Sequence, residues 1–254
     1  MNPTDDNYDR IAQFYDVDMA RNMAFDDVAF YRGVCVQHAG PVLELGCGNG
    51  RILLDLLAHG VDVIGVDASA GMLAVLQRKA RARGLSARVA RMDIRRLGLR
   101  AGFGVVLCPY SLITYVTDDH QASALLRGLR SLLRPGGLCV VDAFIPRPRT
   151  SATAFALDYR RPFEGGTLAR WKRISAVDAS VNRIERRYVV EDARGRVLDV
   201  IEVAEDIRPR TAAELDGQLR DAGFGSANVA WDYGATTTAT TAQFATLTAT
   251  RPGA

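Results

Sequence analysis

The chain has 254 residues, enough for one α/β domain with an elaboration but hardly for two full domains. Hydrophobic residues make up 48% and charged residues 24%, and no apolar run approaches the roughly 18 residues of a membrane span. A net charge of +3 is too small to imply a polyanionic partner by itself, and the opening segment MNPTDDNYDRIAQFYD is too acidic and polar for a secretory signal, so a cytoplasmic protein is expected.

In chain order, Tyr8, Ile11 and Tyr15 fall on one face of an N-terminal helix. Pro41–Leu45 is a short apolar strand that runs into the Gly-rich turn Gly46-Cys47-Gly48-Asn49-Gly50. Asn49 is expected to cap a helix with apolar positions at Ile52, Leu53, Leu56 and Leu57, stopped by Gly60. Val61–Val66 is a second strand, and Ser69 caps a helix running to about Arg83. Ala87–Arg91 and Phe103–Cys108 are the third and fourth strands. Asp118, with Gln121 three residues on, opens a helix whose apolar stripe is Ala122, Leu125, Leu126, Leu129, Leu132 and Leu133. The turn Leu133-Arg-Pro-Gly-Gly-Leu138 stops it, and Leu138–Phe144 is the fifth strand. Strict strand–helix alternation predicts a mostly parallel sheet with helices on both faces.

The pattern changes at Pro146-Arg-Pro-Arg-Thr-Ser, a junction that cannot belong to a central strand. Residues 168–177, 183–192 and 197–207 alternate polar and apolar, which predicts an antiparallel meander. Thr211 and Glu214 form a capping box for a helix through Leu215 and Leu219, and two strands near 224–232 and 243–250 flank the Thr-rich stretch 235–241. The expected division is an N-terminal helical lid (1–40), a core (41–150), a β-rich insert (151–207) and a C-terminal helix with a strand hairpin (208–254). Cys35, Cys47, Cys108 and Cys139 lie far apart without metal-ligand spacing and are expected to be reduced thiols.

The octet Leu43-Glu-Leu-Gly-Cys-Gly-Asn-Gly50 carries the chemistry. A dinucleotide fingerprint places a third glycine three residues after Gly48, but Arg51 stands there. The carboxylate of Asp67, at the end of the second strand, sits where an adenosine ribose is commonly held; its competing role is to cap the next helix.

The octet, Asp67, Arg91-Met-Asp-Ile94 and the Leu-Arg-Pro-Gly-Gly-Leu turn together resemble the class I S-adenosylmethionine-dependent methyltransferases, closely over 41–144 and more loosely elsewhere. The resemblance implies a Rossmann-like seven-stranded sheet and S-adenosylmethionine as cofactor, released as S-adenosylhomocysteine. It implies that Glu44 orients the cofactor's amino end, with Gly46, Cys47 and Gly48 passing beneath it. Asp67 and Ala68 would meet the ribose, and Met92, Asp93 and Ile94 the adenine. Met72 and Cys108 complete the set, with Tyr8 and Tyr15 contributed by the N-terminal lid. The segment Cys108-Pro-Tyr-Ser departs from the Asn/Asp-Pro-Pro-aromatic motif of nucleic-acid amino-methylases, which argues against that activity. It looks like the equivalent loop of small-molecule methyltransferases near the transferred methyl, with Tyr110 and Tyr115 as walls of the acceptor pocket and Trp171 of the insert as a further contact.

His120 or Tyr15 is the candidate general base if the acceptor is a hydroxyl; a surface histidine beside a capping Asp is the competing reading. The stretch Arg78–Arg100, with nine basic residues and one acid, reads as a solvated face rather than an RNA surface, since no aromatics interleave it. The expectation is methyl transfer to nitrogen or oxygen of a small molecule, in bacterial secondary metabolism or sugar modification, with no metal. A homodimer through the insert is the expected assembly. An RNA or protein methyltransferase, or a non-methylating member of the fold, is the alternative.

Overall fold

The computed structural model describes residues 3–20, 25–145 and 154–253; the junction at 146–151 lies outside them. Three short helices come first: α1 (Pro3–Ile11), α2 (Tyr15–Met19) and α3 (Asp27–Gln37). The alternating core follows as β1 (Val42–Leu45), α4 (Leu53–Ala58), β2 (Val63–Asp67), α5 (Ala70–Ala82), β3 (Arg88–Arg91), β4 (Phe103–Cys108), α6 (Asp119–Leu132) and β5 (Leu133–Phe144). A second run of strands is β6 (Ala156–Phe163), β7 (Gly166–Ala176), β8 (Asn182–Glu191) and β9 (Val197–Ile207). The chain closes with α7 (Ala212–Asp221), β10 (Asn228–Trp231) and β11 (Phe244–Thr250).

The main sheet has the order β10-β11-β5-β4-β1-β2-β3, with β11 antiparallel to both β5 and β10 and the strand pairs from β5 to β3 parallel. Alternation sends successive residues to opposite faces. Val106, Cys108, Cys139 and Val141 pack under α6 and α7, while Val105, Leu107, Leu138 and Val140 pack under α3, α4 and α5. Both faces being covered, the central strands read as unbroken apolar runs, as a parallel sheet requires. Ser69 Oγ accepts from Met72 N at 3.0 Å, Asp118 Oδ1 accepts from Gln121 N at 2.8 Å, and Thr211 and Glu214 close a reciprocal capping box. Each such cap stabilises its helix by about 1 kcal/mol.

Four local expectations change. Asn49 does not cap α4: its Nδ2 donates to Asp16 Oδ1 at 2.8 Å, tying the Gly-rich turn to α2, and α4 starts at Leu53. The N-terminal segment is two helices, because the chain turns at 12–14, where Phe14 is fully buried. Pairing in β5 begins at Leu133, opposite Phe103, so the Pro-Gly-Gly turn is a distortion within the strand. The meander has a fourth strand, β6, which pairs with β7 through the Phe163–Gly166 hairpin. Pro162 obscured it in the sequence; proline is tolerated there because β6 is an edge strand.

The four-stranded sheet does not pack on the main sheet. Its inner face presents Leu168, Tyr188, Ile201 and Val203 to Ile11 and Phe14 of the N-terminal segment and to Met72 and Val75 of α5. Asp18, 4% exposed, accepts from Arg170 Nη1 and Tyr159 Oη at 2.5 Å each, and Arg161 donates to the carbonyls of Val17 and Asp18. A buried carboxylate is tolerable only when it is paired and bonded in this way.

Candidate active site

A cavity of about 180 Å³ opens at the carboxyl ends of β1 to β4. One end is built from the turns that follow the first three strands: Gly46 and Gly48, then Asp67, Ala68 and Ser69, then Asp93, Ile94 and Arg95. Gly46 has φ +59, a backbone conformation that favours glycine; a Cβ there would also press on the end of the Leu112 side chain at 2.9 Å. The Asp67 carboxylate is aimed by the backbone itself: Oδ2 accepts from Gly48 N and Oδ1 from Ser69 N, each at 2.8 Å. Ser69 Oγ and Gly71 N both donate to Asp9 of α1, at 2.5 and 2.7 Å, which draws the N-terminal helix over this end.

The other end is aromatic. Tyr8 and Tyr15 come from α1 and α2, and Tyr110 and Tyr115 from the segment after β4, with Pro109, Leu112, Val116 and Met72 between. Tyr8 and Tyr115 join hydroxyl to hydroxyl at 2.9 Å, and Tyr8 meets the rings of Tyr15 and Tyr115 edge-on at 6.2 and 6.5 Å. Burial pushes all four phenols above their ordinary range, with neighbouring acidic groups pushing the same way.

Beneath the Gly-rich turn, Glu44 is 2% exposed and its Oε2 finds no hydrogen-bond partner among the described residues. Burial raises its carboxyl to about 8; Arg51 opposes the rise, while Asp67 and Asp27 add to it. Arg51 is clamped on Asp27 by two bonds of 2.6 Å. Asp93 is held below the usual carboxylate range, chiefly by the Arg95 side chain, which grips it through Nε and Nη2.

Tyr8, Tyr15, Gly46, Gly48, Asp67, Ala68, Met72, Asp93, Ile94, Tyr110 and Tyr115 are thus brought together on one cavity. Other sequence-selected residues stand apart. Cys47 and Cys108 are buried in the two core layers, and Met92 packs its side chain on the core while its N–H donates to Asp67 O. His120 is exposed on the first turn of α6 and does not line the cavity. Trp171 alternates with Arg170 and so stands on the outer face of the insert, beside Arg173. The sequence reading missed Arg51, Asp27, Asp142 and Arg95. Ser69 carried a signal, its place directly after Asp67, but was taken only as a cap.

An adenosyl cofactor with a charged amino end fits this donor set. Asp67 is a fixed acceptor suited to a ribose and Ile94 offers an apolar contact on the cavity wall, while Glu44, not itself on that wall, keeps an unpartnered buried oxygen suited to a cation. Comparison with known proteins agrees. Residues 42–137 match the family model described as a methyltransferase domain. The demethylmenaquinone methyltransferase of Thermus thermophilus is 34% identical over 137 residues, 50% of this chain and 59% of that enzyme. The chain spans about half the length of the curated relatives it matches. An S-adenosylmethionine-dependent methyltransferase from Clostridium acetobutylicum superposes with a TM-score of 0.81 at 18% identity, over 97% of this chain and 99% of that one. The sugar N-methyltransferase KedS8 from Streptoalloteichus does so with a TM-score of 0.75 at 24% identity, over 95% and 92%. The sheet order, the Gly-rich turn with its two following carboxylates and the family match converge: residues 42–137 are similar to a methyltransferase domain, set on the Rossmann-like sheet that the structural neighbours share.

Proposed function

We propose that the protein transfers a methyl group from S-adenosylmethionine to an amine nitrogen of a small-molecule acceptor in secondary metabolism. The observation that carries the choice of nitrogen is the lack of a base among the described residues of the cavity wall. No histidine lines it, its four tyrosines are kept as neutral phenols by burial, and Asp67 and Asp93 are engaged by backbone N–H groups and by Arg95. A hydroxyl acceptor needs a base to take its proton, whereas a neutral amine brings its own lone pair.

When bound, the cofactor supplies a methyl already activated on a sulfonium. What remains for the chain is to hold, align and keep dry. Glu44, Asp67 and Asp93 with Ile94 hold the amino, ribose and adenine parts. Tyr8, Tyr15, Tyr110 and Tyr115 enclose the reacting end, and their π-systems suit a cation, an attraction of about 0.5–2 kcal/mol for each well-placed ring. The likeness to a sugar N-methyltransferase supports a small amine by analogy. A polyanionic acceptor has less support: within Arg78–Arg100, Lys79, Arg88, Arg91 and Arg95 are bound to Asp16, Asp62, the Ala68 carbonyl and Asp93.

Calorimetry on the cofactor-stripped protein should give tight S-adenosylhomocysteine binding and none of NAD; the opposite result would overturn the class. An amino-sugar nucleotide should then be methylated, and its hydroxyl counterpart should not. The rising limb of the rate against pH should follow the acceptor's own amine pKa. A limb unchanged between two amines of different basicity would point to an enzyme base and defeat the nitrogen reading.

A further inference from the structure

At the end of β4, Tyr110 and Ser111 are consecutive left-handed residues, with φ 53 and 58, and neither is glycine. Residues with a Cβ avoid this region, and a pair of them persists only where the surroundings over-determine the turn. Here the surroundings converge on one carboxylate. Asp142 of β5 is fully buried and does not line the cavity. Its Oδ1 accepts from Ser111 N at 2.5 Å. Its Oδ2 accepts from Tyr233 Oη at 2.7 Å and from Tyr31 Oη. The turn is pinned again where Ser111 Oγ accepts from Phe144 N at 2.7 Å and Ser111 O from Thr114 Oγ1 at 2.7 Å.

The turn carries a ring into the site. Tyr110 lines the cavity, packed on Phe144 and Phe244 at 5.7 and 6.1 Å, with the Arg51 guanidinium 5.8 Å from its centroid. Tyr31 and Tyr233 reach Asp142 from α3 and from the loop before β11, so three distant parts of the chain meet behind Tyr110. An amide at position 142 would remove the charge and, with its oxygen kept on Ser111 N, would have to donate to the Tyr31 and Tyr233 hydroxyls, reversing both bonds that aim the group.

We propose that Asp142 is a positioning residue for methyl transfer: it holds the strained Tyr110–Ser111 turn so that the Tyr110 ring stands at the methyl end of the cavity, with Tyr31 and Tyr233 aiming the carboxylate. This rests on the reading of the cavity as an S-adenosylmethionine site. It assigns Asp142 no contact with cofactor or acceptor.

The test compares two nucleosides by calorimetry. Sinefungin carries a cationic amine where the cofactor carries its sulfonium methyl, and S-adenosylhomocysteine carries nothing there. Asp142→Asn should weaken sinefungin about tenfold or more and leave S-adenosylhomocysteine within about twofold, as expected for a site-restricted loss. Tyr110→Ala should show the same discrimination, and the double variant should be no worse than either single one, since both act through one ring. Tyr233→Phe, which removes one donor and no volume, should lie between, and it carries the test should Asp142→Asn fail to fold. Equal loss for both nucleosides, no loss for either, or additive effects in the double variant would overturn the proposal. Should the wild-type protein bind neither nucleoside, the methyltransferase reading fails by itself. Asp142 is then judged from crystal structures, where a Tyr110–Ser111 turn still left-handed in Asp142→Asn would refute the positioning role.

Discussion

The two ends of the cavity are made in different ways. The nucleotide end is assembled from three successive strand ends, with Gly46, Asp67 and Asp93 each within two residues of β1, β2 or β3. Its hydrogen bonds are local to that layer, such as Gly48 N and Ser69 N on Asp67. The aromatic end joins residues from opposite parts of the chain: Tyr8 to Tyr115, and behind Tyr110 the bonds from Tyr31 and Tyr233 to Asp142. Strand–turn–helix grammar specifies the first end, and tertiary packing specifies the second. Under the proposed function, substitutions at the aromatic end should alter acceptor preference and leave the backbone-held Asp67 undisturbed.

The sharpest way to break that distinction is Asp67→Ala. The substitution removes a fixed carboxylate whose charge-assisted hydrogen bonds contribute about 1.5–3 kcal/mol each. S-Adenosylhomocysteine affinity measured by calorimetry should fall about 100-fold, some 2.7 kcal/mol. Asp67→Asn, which keeps one acceptor, should lose less. Unchanged affinity in a folded Asp67→Ala protein would mean that Asp67 serves only to cap the turn through Gly48 and Ser69, and the local reading of this end would be wrong.

Legibility in the sequence follows the same division. The strand ends and the Ser69, Asp118 and Thr211 caps could be read because each depends on residues a few positions apart. The spacing of Gly46, Asp67 and Asp93 is a local signal, and the three residues line one end of the cavity. Asn49 was misread for an instructive reason: as a cap it needs only its neighbours, but its partner is Asp16, 33 residues away. Asp142 and Tyr31 looked like an ordinary strand residue and an ordinary helix residue. Nothing in their local sequence marks a bond across 111 positions. Trp171 had a periodicity, which sorts residues into two faces but cannot say which face turns inward. That choice was made by Leu168 and Tyr188 packing on Phe14 and Met72.

Glu44 sharpens the comparison through pH. With its carboxyl raised to about 8 by burial, it is largely protonated at pH 7 in the cofactor-free protein. An ammonium brought against it favours the ionised form, so binding should release a proton. Affinity for S-adenosylhomocysteine should then rise with pH up to about 8, with a slope approaching tenfold per unit, and Glu44→Gln should flatten it. Stability of the free protein runs the other way. A folded pKa above the unfolded value gives a contribution fully present below about 4.5 and lost as pH rises through about 8. The thermal midpoint should therefore fall more over that window in the wild type than in Glu44→Gln. Equal slopes in the two proteins would detach Glu44 from the cofactor's amino group.

The smallest effect is expected at His120, and its smallness is informative. The Leu112–Tyr115 turn and Val116 carry the chain along the cavity wall, and Asp118 then leads it out to solvent, where His120 is exposed. Its neighbour Asp119 does not line the cavity and is paired with Arg208 and Arg210 at 3.0 and 3.2 Å. His120→Ala should leave turnover on an amine acceptor within about twofold and stability within about 0.5 kcal/mol, as for a surface substitution. A loss of 100-fold or more would place a proton acceptor at the aromatic end, make a hydroxyl acceptor chemically feasible, and require the start of α6 to approach Tyr115 during turnover. The closed wall of tyrosines would then be one state of the site, and the division between a fixed end and an adaptable end would rest on movement as well as on where the residues lie in the chain.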